Sequence, residues 1–183
     1  MMKGTGAVYA AAGVLYGLQC VLVWIDLAGV FSLGKLGMLA AGVMPTVLFV
    51  IFMIWVIVRD GKNLNQKGVA ARAMGAAFGG AGLANLVLAL IFGVTAFKRN
   101  DFGLWLFFPV TVCALQGAVW YAIAIIRRRW WMGGVAAGWF AVAIATGLFA
   151  RTPADFNLFL GFGCFAFMAA PGYALMRIGA SGK

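Results

Sequence analysis

Apolar residues fill six long runs of the chain, and short clusters of charged residues separate the runs. An α-helix needs about 20 apolar residues to cross the hydrocarbon core of a bilayer, at about 1.5 Å per residue. The runs do not alternate between apolar and polar residues, as the strands of a membrane β-barrel do. They therefore predict six transmembrane helices, at residues 7–31, 36–58, 73–97, 102–126, 130–150 and 156–176.

The composition agrees with this pattern. Of the 183 residues, 65% are hydrophobic and 10% are charged, whereas average globular domains have about 45–50% apolar and about 25% charged residues. A soluble domain of this size cannot bury so much apolar surface. We therefore predict an all-α, polytopic integral membrane protein: a compact bundle of six transmembrane helices arranged as three hairpins. The bundle forms a single domain over residues 1–183, with no soluble domain.

Lysine and arginine are distributed unevenly between the two sides of the predicted bundle. Cytoplasmic loops are enriched in these residues, so the asymmetry predicts cytoplasmic N and C termini in a bacterial-type cell membrane. The net charge of +10 predicts contact with anionic lipid headgroups, and no nucleic acid because the loops are too short to form a groove. The cytoplasmic side has Lys3, Arg59, Lys62, Lys67, Arg72, Arg127, Arg128, Arg129, Arg177 and Lys183, and the outer side has Lys35, Lys98, Arg99 and Arg151.

Pairs of glycines four residues apart occur in three of the predicted helices. Such small residues let helix backbones approach each other closely in lipid. The pairs therefore predict either packing within the bundle or docking faces for another membrane protein subunit or a second copy of the chain. They are Gly13 and Gly17, Gly75 and Gly79, and Gly134 and Gly138, in helices one, three and five.

Three carboxamide side chains fall near the midplane of the predicted bundle: Gln19, Asn85 and Gln116. A buried amide without a hydrogen-bond partner is costly, so each one needs a neighbour, a water or a ligand. One interpretation is hydrogen bonding between helices. The other is a cavity for a neutral or weakly polar ligand, with Tyr16 and Trp139 as its walls.

Asp26 is the one acidic residue inside a predicted span, and it lies near the outer end of the first helix. A carboxylate within a membrane is costly and is by default a functional candidate. The alternatives are an ion pair with Lys35 or Arg151, a proton or cation role, and a contact with another subunit.

Other residues predict how helices begin and bend. Asp101 and Asp155 each precede a helix that begins with Phe, and this position is typical of an N-terminal cap. Pro171 lies deep in the sixth run, next to Gly172, and predicts a kink.

The densest polar segment contains Arg127, Arg128, Arg129, Trp130 and Trp131. Arginines that reach lipid phosphates and tryptophans at headgroup depth are typical of a cytoplasmic membrane anchor. The segment therefore predicts contact with lipid headgroups.

The composition gives catalysis little support. The chain has no His, and its four acidic residues are all Asp, so the usual general bases are absent. Cys20, Cys113 and Cys164 lie within spans without C-x-x-C spacing and predict buried free thiols. We predict no enzyme activity, no catalytic residue, no metal site and no cofactor.

These features lead to three hypotheses for function. The first is a non-enzymatic accessory or scaffold subunit that acts by contact with other membrane proteins or lipids. The second is a carrier or substrate-binding subunit for a neutral or hydrophobic small molecule, built around the midplane amides. The third is a lipid-modifying membrane enzyme, which the missing acid–base residues disfavour.

Overall fold

A computed structural model describes residues 2–60 and 69–180 of the chain. These residues form helices and turns and contain no strand, and six of their helical segments are long and apolar enough to cross a membrane. The structure therefore confirms the predicted all-α fold of a multi-pass membrane protein. Lys62, Lys67 and Lys183, which enter the predicted charge asymmetry, lie outside the described residues.

The described chain contains seven α-helices and two π-helical turns. One π-helical turn, Ala145–Phe149, extends the fifth span, and another, Phe165–Ala169, joins two α-helices into the sixth span, Pro153–Ile178. The helices are α1 (Met2–Leu27), α2 (Gly34–Asp60), α3 (Val69–Arg99), α4 (Gly103–Arg127), α5 (Trp130–Ile144), α6 (Pro153–Cys164) and α7 (Ala170–Ala180).

The first helix ends at Leu27, whereas the apolar pattern predicts a span that continues to residue 31. The chain turns here because the Asp26 carboxylate accepts a hydrogen bond from the backbone N–H of Leu33 at 2.7 Å. Gly29 takes a left-handed conformation in this turn, with φ of 71°, which costs glycine little. The apolar residues after Leu27 therefore belong to the connection and not to the helix.

The chain forms two compact units. In the first, α1 packs against α2 and against the sixth span; in the second, α4 packs against both α3 and α5. The two helices of the third predicted hairpin, α5 and α6, belong to different units, and the chain between them is one of the two places where it passes from one unit to the other. The prediction of a single domain stays a prediction.

The first unit depends on backbone contact between α1 and the sixth span. A Cβ atom added to Gly6 would lie 2.7 Å from the carbonyl oxygen of Gly172. A Cβ atom on Gly13 would collide with the backbone of Ala169. Glycine at these positions therefore permits an approach that any larger residue prevents, and van der Waals contact between such faces stabilises helix pairs in lipid.

The second unit is organised around Trp120 of α4, whose side chain is fully buried. Its ring lies 5.9 Å from that of Phe78 on α3 and 6.1 Å from that of Trp131 on α5. Aromatic pairs at such distances are favourable beyond the area that they bury. Trp120 therefore joins all three helices of the unit.

Gly13→Ala tests the backbone contact in the first unit. We expect the added Cβ to destabilise the protein by about 1–3 kcal/mol, as overpacking does, and to lower the unfolding temperature measured in detergent. Gly133→Ala on α5 is the matched control, because a Cβ there meets nothing within 4 Å and alanine favours helix by up to about 1 kcal/mol. Equal unfolding temperatures for the two variants would contradict the contact.

Candidate functional site

The chain reverses direction between α4 and α5 in a tight turn. Arg128 takes a left-handed conformation, with φ of 51°, and its backbone N–H bonds to the carbonyl of Ile125 at 3.4 Å. The N–H of Arg129 bonds to the carbonyl of Ala124 at 3.3 Å, and α5 begins at the next residue, Trp130. This turn gives neighbouring arginines different environments.

Two residues of the basic segment point into the second unit. The Nε of Arg127 donates a hydrogen bond to the sulfur of Met74 on α3 at 2.9 Å and is partly buried. Trp131 is half-buried, with its ring against that of Trp120. Both side chains are therefore used in holding α3, α4 and α5 together.

An open groove lies at this end of α4 and α5, and the other three residues of the segment, Arg128, Arg129 and Trp130, border it. The groove has a volume of about 540 Å³ and is also lined by Tyr121, Ala124, Ile125 and Gly133. Arg128 and Arg129 are exposed, and Trp130 is 90% exposed. Two guanidinium groups beside an indole form a surface suited to an anionic lipid headgroup.

The predicted midplane residues fall into both units. Tyr16 and Gln19 of α1 contact α2 in the first unit: the Gln19 amide donates to the carbonyl of Gly42 at 3.2 Å. The Tyr16 ring lies 5.7 Å from that of Phe49, and its hydroxyl shares a hydrogen bond with Thr46. These contacts match the interpretation of interhelical bonding.

Asn85, Gln116 and Trp139 belong to the second unit. Gln116 and Trp139 are 8% and 2% exposed, and each has an interaction partner. The side-chain oxygen of Asn85, by contrast, is buried and accepts no hydrogen bond within the described residues. A buried acceptor in this state costs about 1–3 kcal/mol, so this oxygen is suited to accept a hydrogen bond from a bound molecule.

Ring contacts between α3 and α4 indicate what lies opposite Asn85. Phe78 contacts Trp120, and two turns of helix beyond Asn85 the rings of Phe92 and Phe108 lie 6.3 Å apart. Between these contacts, Asn85 is level with the part of α4 that includes Cys113 and Gln116. This region of the second unit is the candidate site for a small molecule.

The aspartates act on the backbone of the turns. Asp26 is half-buried and bonds to Leu33, and neither Lys35 nor Arg151 pairs with it in the described part of the chain. Asp155 accepts from the N–H groups of Arg151 and Thr152 at 3.2 and 3.0 Å, and the Thr152 hydroxyl accepts from the N–H of Asp155 at 3.2 Å. This reciprocal pair is a capping box.

Asp101 also lies at the start of a helix, although one residue before the N-cap position. Its carboxylate accepts a hydrogen bond from the N–H of Gly103 at 2.9 Å. The N-cap residue itself is Phe102, which has no side-chain oxygen to accept a hydrogen bond. The predicted capping contact is therefore present with a shifted position.

The three predicted glycine pairs have different surroundings. In the first unit, a Cβ on Gly17 would lie 2.8 Å from the ring of Phe165, so the Gly13 and Gly17 pair is fully used in packing. A Cβ on Gly79 of α3 or Gly134 of α5 would meet nothing within 4 Å. Gly75 is exposed and Gly138 is half-buried.

The cysteines show one proximity that the spacing along the sequence did not predict. The thiols of Cys20 on α1 and Cys164 on α6 share a hydrogen bond, and both residues are buried. Cys113 is buried in the second unit. The described residues contain no group of three or more cysteine, histidine or acidic side chains placed to hold a metal ion.

No family model, curated protein or solved structure matches the chain. The evidence for function therefore lies in the geometry of the chain itself. Three features of the described residues bear on it: the open glycine face of α3, the groove beside Arg128 and Arg129, and the unpartnered oxygen of Asn85.

Asn85→Leu tests whether the buried oxygen lacks a partner in the free protein. We expect this variant to be more stable than the parent by about 1–3 kcal/mol, because an unsatisfied acceptor is removed. Gln116→Leu is the matched comparison and lowers stability, because Gln116 has a partner to lose. The measurement is thermal unfolding in detergent without added ligand. A lower unfolding temperature for Asn85→Leu would show that the oxygen is already satisfied.

Proposed function

We propose that the chain is a non-enzymatic accessory subunit that acts by contact with another membrane protein. The observation that carries this proposal is the open glycine face of α3, formed by Gly79 and Gly82 on one side of the helix, with Gly80 beside them. A Cβ atom added to any of these three residues would meet nothing within 4 Å. Within the described part of the second unit, these glycines therefore leave the backbone of α3 uncovered.

The glycines of α1 show what such a surface does when it is occupied. On α1, glycine allows the backbone of the sixth span to come within van der Waals distance. On α3, only 6% of the most apolar 18-residue stretch is buried, compared with 39% in the fifth span. A glycine in a helix costs about 1 kcal/mol relative to alanine, and a close-packing partner helix offsets that cost.

Lipid contact at the groove is the second part of the proposal. Arg128, Arg129 and Trp130 provide charge and an indole at one end of α4 and α5. In this proposal the groove and both termini face the cytoplasm of a bacterial-type cell, since ten of the 14 basic residues fall on that side and cytoplasmic loops are enriched in Lys and Arg.

Binding of a small neutral molecule is the alternative function, and the Asn85 oxygen favours it. A ligand with one hydroxyl or N–H donor would satisfy this oxygen. Native mass spectrometry of gently extracted protein would then show a discrete extra mass that Asn85→Leu removes. If the parent protein has no such mass beyond exchangeable lipid, the alternative is rejected.

A photo-reactive residue at Leu83 tests the docking face. Leu83 is 68% exposed and lies one turn from Gly79 on the same side of α3. After irradiation of native membranes, we expect one covalent adduct with a different polypeptide, which the added substitution Gly79→Leu abolishes because it removes the flat surface. The readout is the mass of the cross-linked species.

The control for this experiment is a photo-reactive residue at Ile51 of α2, which is 59% exposed. We expect adducts with lipid alone at this position. Equal protein adducts from residues 51 and 83, or lipid adducts alone from both, would overturn the docking proposal. An adduct between two copies of the chain would replace the accessory role with self-association.

The double variant Arg128→Gln, Arg129→Gln tests the lipid contact. Each base near an anionic surface contributes about 1 kcal/mol, so we expect affinity for anionic lipid to fall roughly 30-fold. Lys98→Gln, Arg99→Gln removes the same charge from another exposed site and serves as the matched control. For each double variant, native mass spectrometry counts the anionic lipids that co-purify with the protein. An equal loss in the two variants would contradict a specific groove.

A further inference from the structure

The interface between α1 and the sixth span has a regular antiparallel register. Steps of three or four residues along α1 correspond to steps of similar size backwards along the sixth span. Contacts of this kind over the length of two helices fix which side chains are neighbours. Along this interface Gly6 faces Met176, Ala10 faces Gly172, Gly13 faces Ala169, Gly17 faces Phe165, and Cys20 faces Gly161.

This register brings two thiols together inside the membrane. A Cβ on Gly161 would lie 3.1 Å from the Cβ of Cys20, and Cys164 is three residues further along the same face of α6. The two thiols share a hydrogen bond. Cys20 is 6% exposed and Cys164 is 5% exposed, so both lie within the packed interface.

We propose that Cys20 and Cys164 form a redox site, at which a small neutral peroxide converts the two thiols into a disulfide that fastens α1 to the sixth span. A disulfide requires Cβ atoms about 3.5–4.5 Å apart. The proposal requires Cys164, one helical turn from Gly161 on helices in backbone contact, to bring its Cβ within this distance of Cys20. The site is independent of the docking face and of the lipid groove.

The oxidation balances in two steps. The sulfur of one thiol attacks a peroxide oxygen, the O–O bond breaks, and the thiol proton passes to the leaving oxygen, which gives a sulfenic acid and water. The second sulfur then displaces the sulfenic hydroxyl, which leaves with the second thiol proton as water, and the S–S bond forms. Two electrons pass from the two thiols to hydrogen peroxide.

The surroundings of the thiols determine the class of oxidant. Both side chains are buried in a membrane span, where a charged oxidant would lose its hydration without gaining partners. A small neutral molecule does not have this barrier. The π-helical turn begins at Phe165, directly after Cys164, so the disulfide would also fix the start of the irregular part of the sixth span.

Oxidation of the parent protein in native membranes tests the site. Hydrogen peroxide is added, the protein is denatured, and the remaining thiols are alkylated with N-ethylmaleimide before intact-mass analysis. The chain has three cysteines, so the untreated protein takes three adducts. We expect the oxidised protein to take one adduct, at Cys113, and to unfold at a higher temperature until a thiol reductant reverses the change.

Single substitutions serve as controls. Cys113→Ser retains the disulfide and the higher unfolding temperature, whereas Cys20→Ser and Cys164→Ser lose both. The proposal is overturned if three thiols remain after peroxide treatment, if the disulfide includes Cys113, or if it joins two chains on a non-reducing gel.

Discussion

The hydrocarbon core of a membrane offers no hydrogen-bond partner to a peptide group, so the chain itself has to satisfy its backbone. Most short-range polar contacts in the structure meet this requirement. Asp26 bonds to the N–H of Leu33 where α1 ends, and Asp155 with Thr152 closes the start of α6. Thr146 donates to the carbonyl of Val142 at 2.6 Å where the fifth span changes to a π-helical turn. These polar side chains therefore act on the backbone of the chain itself.

Once the backbone is satisfied, contact between helices depends on shape, because lipid tails are as apolar as the helix faces. The two units use different shapes. In the first, glycines bring α1 and the sixth span into backbone contact, whereas in the second the large ring of Trp120 fills the space among α3, α4 and α5. The glycines Gly79, Gly80 and Gly82 of α3 differ from both arrangements, because no helix of the described chain packs against them within their own unit.

The sequence was sufficient to predict what depends on local composition. It predicted six spans and a capping role for Asp155, although Asp155 lies at the third position of α6 and the N-cap residue is Thr152. The kink predicted at Pro171 stays a prediction, because the irregular part of the sixth span is the π-helical turn Phe165–Ala169, which ends before the proline. It could not predict which helices pack together, because lipid-facing and buried positions are equally apolar. The contact of Cys20 with Cys164 and the separation of Arg127 from Arg128 both depend on that packing, and so were not predictable.

The number of polar side chains in the spans that still lack a hydrogen-bond partner also limits which functions the chain can perform. A polar substrate that enters a membrane protein exchanges its water shell for hydrogen bonds to the protein. In the described spans, Gln19 already bonds to Gly42, and Gln116 has a partner, whereas the Asn85 oxygen is without one. A ligand proposed for this site would therefore bring one hydrogen-bond donor for the Asn85 oxygen and would otherwise be apolar. Contact with a helix of another protein needs no such group, and for this reason it remains the function that the chemistry of these spans supports best.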